Sequence, residues 1–193
     1  WYIFRLSLEW IDMKIWELRH NSNNYVVFCP INKERWTLDY IHSFDGSSKL
    51  KDWTKLPVTS DQVEKSLPLT DFLGFLHIPF LVFSDECVKK LYSLIQGDAE
   101  LLPLEFENST YYGINVISLL DCVDLANSSF KRYKSTGRIM KFNNLSFRKN
   151  MLVNHHLFRL TEGPITYYVS DEFKNAVISN GLTGFAFKLI WEG

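Results

Sequence analysis

The sequence has few of the residues that would commit it to a ready-made chemistry. Its three cysteines, Cys29, Cys87 and Cys122, are an odd number at wide spacing with no C-x-x-C, which argues against both a disulfide framework and a zinc site. Reduced, packed thiols are the expectation. No G-x-x-x-x-G-K-[ST], G-x-G-x-x-G, H-E-x-x-H or G-x-S-x-G occurs, so the common phosphate loops, the metalloprotease helix and the nucleophile elbow are all missing. Among the five histidines only His155 and His156 are adjacent, and neighbours on a strand point to opposite faces, a poor arrangement for sharing a metal. No cofactor and no metal are expected. The longest apolar runs, Ile78 to Phe83 and Ile114 to Leu120, fall far short of the ~18 residues a membrane span needs. No basic start followed by an apolar stretch and a small-residue cleavage site is visible. These absences together lead to the expectation of a soluble, cytoplasmic protein.

Charge of one sign is missing from two long stretches. From Tyr92 to Phe130 there is no Lys or Arg, while Asp98, Glu100, Glu105, Glu107, Asp121 and Asp124 occur; from Lys131 to Lys149 there is no acid and there are seven cations. The formal net charge of −1 therefore hides an acidic middle and a basic later part. Such asymmetry signals either a charged partner or two segments that neutralise each other in the fold. The six acids are candidate partner contacts.

What is present is an ordinary globular composition, 46% hydrophobic and 16% aromatic over 193 residues, enough for one substantial core. The closing stretch has the clearest local grammar. Ile165 to Val169 reads as a strand; Ser170 is a good N-cap followed by Asp171 and Glu172, which suit the positive end of a helix dipole. Phe173, Ala176 and Val177 make one apolar stripe, and Asn180-Gly181 supplies a left-handed stop. Gly184 to Trp191 is the returning strand, with Phe185, Phe187 and Trp191 expected to pack. The same order occurs earlier: Pro79 to Phe83, the cap Ser84 with Asp85 and Glu86, a stripe of Val88, Leu91, Tyr92 and Ile95, then Gly97 and the strand Leu101 to Phe106. The shared Ser-Asp-Glu fits either a duplication or a common way to begin a helix.

Elsewhere the pattern favours strands. Trp1 to Trp10 alternates as a half-buried strand, Ile11 to Arg19 is ambiguous, and His20 to Asn24 is a turn. Tyr25 to Cys29 and Trp36 to Phe44 are strand candidates. Lys49 to Trp53 is placed to pair back across the Asp45 to Ser48 loop, and Leu56 to Leu69 reads as a connector with a helical turn at Asp61 to Lys65. Tyr111 to Leu120 is apolar throughout, as a central strand would be. Ser128 to Gly137 is a polar, basic segment, and Arg138 to Phe142, Leu145 to Phe147 and Asn154 to Leu160 are shorter strands. The predicted class is α+β: a largely antiparallel sheet with two clear helices, at about 84–96 and 170–180, and short additional turns. One domain spanning 1–193 is expected, with a strand-rich part at 1–66.

The order PFLVFSDECVKKLYSLIQGDAELLPLEF, YYGINVISLLDCVDLANS and YYVSDEFKNAVISNGLTGFAFKLIW, over residues 79 to 191, resembles the eleventh named family of bacterial polymorphic-toxin immunity proteins, formerly a domain of unknown function. The closing segment is its most specific part, and residues 67–193 form the family-like part of the chain. The resemblance implies a non-enzymatic protein that binds and neutralises a cognate toxin of interbacterial competition. On that reading Ser84, Ser170, Gly181, Gly184, Phe185, Phe187 and Trp191 are scaffold, and the acidic residues 98 to 124 face a basic toxin.

Two other readings start from the residues. Asp121 and Asp124, three apart around Cys122, could serve a small hydrolase-like enzyme as an acid–base pair. Alternatively, the run Lys131-Arg132-Tyr133-Lys134 through Arg138 and Lys141, interleaved with Tyr133 and Phe142, has the form of a nucleic-acid platform. The sequence pI near 6.6 makes nucleic acid an unlikely partner.

Overall fold

Two short units of strand, serine-capped helix and strand repeat one topology in the protein, and the rest of the chain is arranged around them. In the computed structural model, which describes residues 13–20, 25–32, 34, 36–60, 67–76 and 80–193, the first unit is β5 (Leu81–Ser84), α2 (Asp85–Ile95) and β6 (Ala99–Phe106). The second is β12 (Gly163–Ser170), α3 (Asp171–Ser179) and β13 (Phe185–Glu192). In each unit the two strands flank a third strand that is antiparallel to both. That strand is β7 (Ser109–Val116) in the first and β1 (Lys14–His20) in the second. The helices begin where capping chemistry dictates: the hydroxyls of Ser84 and Ser170 accept from the amides of Cys87 and Phe173 at 3.1 and 3.2 Å, satisfying donors that a helix start leaves without partners.

The first unit closes into a barrel with β2 (Val27–Pro30), β3 (Leu56–Ser60) and β4 (Phe72–Phe75), in the order β2-β3-β6-β7-β5-β4. Its interior is filled by Phe28, Leu73, Val82, Leu102 and Leu104, all fully buried. On β5, Val82 points inward while Leu81 and Phe83 point outward into a second core beneath the helices. This explains why the segment reads as an unbroken apolar run: both of its faces are buried. Gly113 lies on the inward side of β7, where a Cβ would come within 2.7 Å of the Phe80 ring.

The second unit forms a five-stranded sheet, β13-β1-β12-β11-β8, with β11 (Leu157–Leu160) and β8 (Leu119–Leu120) paired in parallel. One face carries Leu18, Val169 and Leu157 into the core shared with α2, α3 and the outside of the barrel. The opposite face carries Ile15, Tyr168, Phe158 and Leu160, partly covered by Cys122, Val123, Leu145 and Phe147. Beside it stands a separate hairpin of β9 (Ser129–Arg132) and β10 (Ile139–Asn144). Among the described residues no helix is long and apolar enough to cross a membrane.

The α+β class and both expected helices are present; the expected single sheet is instead a barrel, a sheet and a hairpin. Trp36 to Phe44 is not a strand. Leu38–His42 is the helix α1, capped by Thr37, and the four-residue spacing of Trp36, Tyr40 and Phe44 stacks their rings together at 5.2 to 6.4 Å. The alternation that suggested a strand leaves Leu38 72% exposed. Lys49 to Trp53 holds a 3-10 turn at Leu50–Asp52. The supposed connector after Leu56 is the barrel strand β3, with Leu56 and Val58 inside. Tyr111 to Leu120 breaks after Val116, because the amides of Ile117 and Ser118 turn to the carbonyl of Asp98. Leu145 to Phe147 contributes only a single bridge, Val123 to Phe147, and the basic segment at 128–137 contains β9. Of the turn expected at His20 to Asn24, His20 instead ends β1; the rest of that turn, the strand expected at Trp1 to Trp10 and the helical turn expected at 61–65 lie outside the described residues.

Candidate functional site

Three strands of the sheet set a row of side chains on its outer face: Tyr168 of β12, Glu17 of β1 and Lys188 of β13 are register partners. The β9–β10 hairpin stands over this face, and between them lies a cleft of about 740 Å³. Tyr168 and Leu160 are buried at its floor, with Ile190 beside them, while Ile165, Leu189, Met140 and Tyr133 line it as exposed apolar side chains. Arg138, Lys141 and Lys188 supply the cations and Glu17 and Glu162 the acids. Arg19 donates to Glu17 at 2.7 Å, which neutralises one of the two. Burial, and next the Glu17 charge, push the Tyr168 phenol up to about 12, so it stays neutral and serves as an apolar wall with a polar tip. Among the described residues no His, Cys or Ser lines the cleft. Exposed apolar surface beside cations that make no ion pair among the described residues is suited to binding.

The six acids of the middle segment do not make one surface. Asp98 is 1% exposed; its carboxylate accepts from Ser118 Oγ at 2.6 Å and from the amides of His156 and Leu157 at 2.7 and 3.1 Å, and it meets His155 Nδ1 at 2.6 Å. Glu100 is also buried, accepting from the Lys49 amide and from Asn115 at 2.8 and 2.9 Å. These two side chains therefore face inward, away from any partner. Glu105 and Glu107 are exposed at the tip of the β6–β7 hairpin, the opposite end of its eight-residue ladder from Asp98, and Glu105 pairs with Lys55 at 3.2 Å. Asp121 pairs with Arg148 at 2.6 Å. Asp124 closes its own turn, accepting from the amides of Ala126 and Asn127 and from Asn127 Nδ2. Part of the charge asymmetry is thus matched internally: acids of the middle segment pair with a cation and a histidine of the last third.

Asp121 and Asp124 are held by separate partners. Cys122 between them is fully buried, and burial, with Glu162 nearby, pushes its thiol up to about 12. Among the described residues no group of three or more His, Cys, Asp or Glu could hold a metal ion. The other named residues sit in the scaffold. Gly181 has φ +65 just past α3, and Gly184, with φ +88, is pressed against Phe72 O and Thr70. Phe185 packs on Phe72 and Phe83 and stacks on Phe187, and Trp191 meets Phe147 at 5.5 Å. The cleft was missed because it joins segments distant in sequence; its one local signal was the basic run interleaved with Tyr133 and Phe142.

Every residue that lines the cleft except Glu17 lies between 133 and 190. Residues 103–191 match the model of an immunity protein family, Imm11. Over that segment the chain is similar to the Imm11 immunity proteins. No curated protein matches the chain. The matched Imm11 segment starts within β6 and runs through β13, so it builds the hairpin and four of the five sheet strands. The first strand–helix unit from Pro79, part of the sequence resemblance, falls before it.

Proposed function

We propose that the chain neutralises a cognate protein toxin by binding it, without catalysis, in the cytoplasm of a bacterium that makes polymorphic toxins for competition with its neighbours. The observation that carries this reading is that the segment similar to Imm11 builds an open cleft of exposed apolar and cationic side chains. An inhibitor needs a firm scaffold, an apolar anchor site and charges that speed encounter; the sheet, the cleft floor and Arg138, Lys141 and Lys188 supply these. The acidic segment is a poorer contact surface, since Asp98 and Glu100 are turned inward and Glu105, Asp121 and Asp124 already have partners. The hydrolase-like alternative loses support because Asp121 and Asp124 are each engaged in a separate interaction and Cys122 is buried.

Co-expression with the product of the adjacent toxin gene tests the reading. A stable complex on pull-down together with rescue of growth is expected; neither complex nor rescue would sink it.

A further inference from the structure

Two strand edges border the cleft. Every residue from Ile139 to Leu145 lines it, although successive side chains of a strand point to opposite sides. β10 therefore presents its edge to the cleft, main chain included. Across from it, Lys188, Leu189 and Ile190 of β13 are likewise consecutive lining residues. Among the described residues, β10 pairs only with β9 and β13 only with β1. A free strand edge offers a row of amide donors and carbonyl acceptors that a second extended chain can satisfy.

Charge selects the occupant. Among the described residues, Arg138, Lys141 and Lys188 make no ion pair, and all three are exposed. Lys131 and Lys134 add two more exposed cations to the same hairpin. Of the lining acids, Glu17 is held by Arg19 and Glu162 accepts from Thr161 Oγ1 at 3.0 Å. A neutral or basic strand would leave these cations uncompensated beside apolar surface, whereas an acidic one supplies carboxylates to them.

We propose that the cleft receives an extended, acidic segment of the toxin, which adds as a strand along β10, places carboxylates on Arg138, Lys141 and Lys188, and sets its intervening apolar side chains against Tyr168 and Ile190. This rests on the toxin-binding reading above and reverses the charge expected from the sequence: the partner's contact segment is acidic, and the immunity protein is the cationic side. β10, six residues long, would accommodate a strand of about 20 Å.

The test uses the full chain, the toxin encoded beside it and the exposed-residue variant R138E/K141E/K188E. Wild type and E105K/E107K are expected to bind alike, while the triple variant binds roughly 100-fold more weakly with an unchanged melting temperature. Amides of Ile139–Asn144 should exchange more slowly in the complex. Wild-type affinity in the triple variant, or no new protection along β10, overturns the cleft and leaves toxin binding standing. A triple variant that keeps toxin binding but loses binding of a single-stranded oligonucleotide also overturns it, assigning the surface to nucleic acid. If wild type forms no toxin complex, the proposed function itself fails. A capped octapeptide of alternating valine and glutamate, titrated at millimolar concentration into isotope-labelled protein, probes the cleft independently. Shifts confined to residues 139–144 and 188–190, absent with a valine–lysine peptide, support the proposal; no shifts, or shifts elsewhere, overturn it. Should the triple variant fold poorly, R138Q/K141Q/K188Q with a salt series gives the same reading.

Discussion

The carboxylate of Asp98 lies 2.6 Å from Nδ1 of His155 and joins the barrel to the five-stranded sheet. It sits in the turn between α2 and β6, and its second oxygen accepts from the amides of His156 and Leu157 at the start of β11. Its own carbonyl accepts from Ile117 and Ser118. Asp98→Ala would leave two main-chain donors and the Ser118 hydroxyl without their acceptor in a buried site, an expected loss of about 3 kcal/mol. Urea unfolding checks this. Glu107→Gln, at an exposed turn on the far end of the same ladder, should change stability by less than about 0.5 kcal/mol.

Gly113 and Phe80 form a second dependent pair. With a Cβ at position 113 the Phe80 ring would have to move, since its Cε2 lies 2.7 Å from where that carbon falls. Phe80 is itself wedged among Phe44, Phe75 and Trp53, so the barrel interior offers it little room. Gly113→Ala should cost about 1–3 kcal/mol through overpacking. Combining it with Phe80→Leu should cost less than the sum of the two single changes, because the smaller side chain vacates the contested space. Additive losses in a double-mutant cycle would count against this account.

The features legible in the sequence are those written within a few residues. Ser84 and Ser170 announced their helices, and Gly181 announced the end of α3, because capping and left-handed stops are local chemistry. Barrel closure was not legible: β2, β3 and β4 are short, and what joins them is pairing across long separations. Trp36, Tyr40 and Phe44 carried a helical spacing that alternation at Leu38, Tyr40 and His42 masked. The acidic segment was legible as charge but not as direction. Nothing near Asp98 in the chain reveals that its acceptors will be claimed by amides at 156 and 157, so a buried hub looked like a partner surface. The cationic hairpin was visible as composition, and its position over the sheet was not.

Acid should weaken the fold in two steps of known sign. Burial lowers the His20 pKa, so the unfolded chain takes up a proton below about pH 6.5 while the folded protein resists it; stability falls as pH drops from there toward the lowered value. For Glu100, burial works to raise the pKa, but hydrogen bonds from Ser48, the Lys49 amide, Asn115 and the Leu50 amide outweigh it and hold the carboxyl low. Its contribution is present above about pH 4.3 and is lost as pH falls through the folded value. His20→Phe should flatten the first slope and Glu100→Gln the second, measured as unfolding free energy from pH 7.5 to 3.5. A slope that survives both substitutions assigns the acid sensitivity to other groups.

The cysteines should be inert in the native protein. Cys29, Cys87 and Cys122 are all buried, and burial pushes both Cys87 and Cys122 upward, the latter to about 12, so almost no thiolate exists at pH 8. Iodoacetamide is expected to label none of them over an hour in buffer and all three in guanidinium. Rapid labelling of Cys122 in native protein would revive a nucleophilic role for the Asp121–Asp124 segment.

The barrel and the sheet should unfold together, because Phe72, Phe83 and Ile114 of one and Leu18, Leu157 and Val169 of the other fill the same core, with α2 and α3 packed over it. Neither part could expose its share without stripping the other of neighbours, and such coupling makes an unfolding transition all-or-none. Tryptophans report on each side: Trp36 and Trp53 pack against the barrel core, while Trp16 and Trp191 belong to the sheet. Fluorescence curves from W1F/W10F/W36F/W53F and W1F/W10F/W16F/W191F variants should each be single transitions that superimpose once normalised to the midpoint. Leu91→Ala in α2 should then lower the midpoint seen by both sets of probes, by about 2–5 kcal/mol of stability, since Leu91 is fully buried in the shared core. Two separated transitions, or a Leu91 effect confined to one set, would mean that the barrel and the sheet are independent folding units.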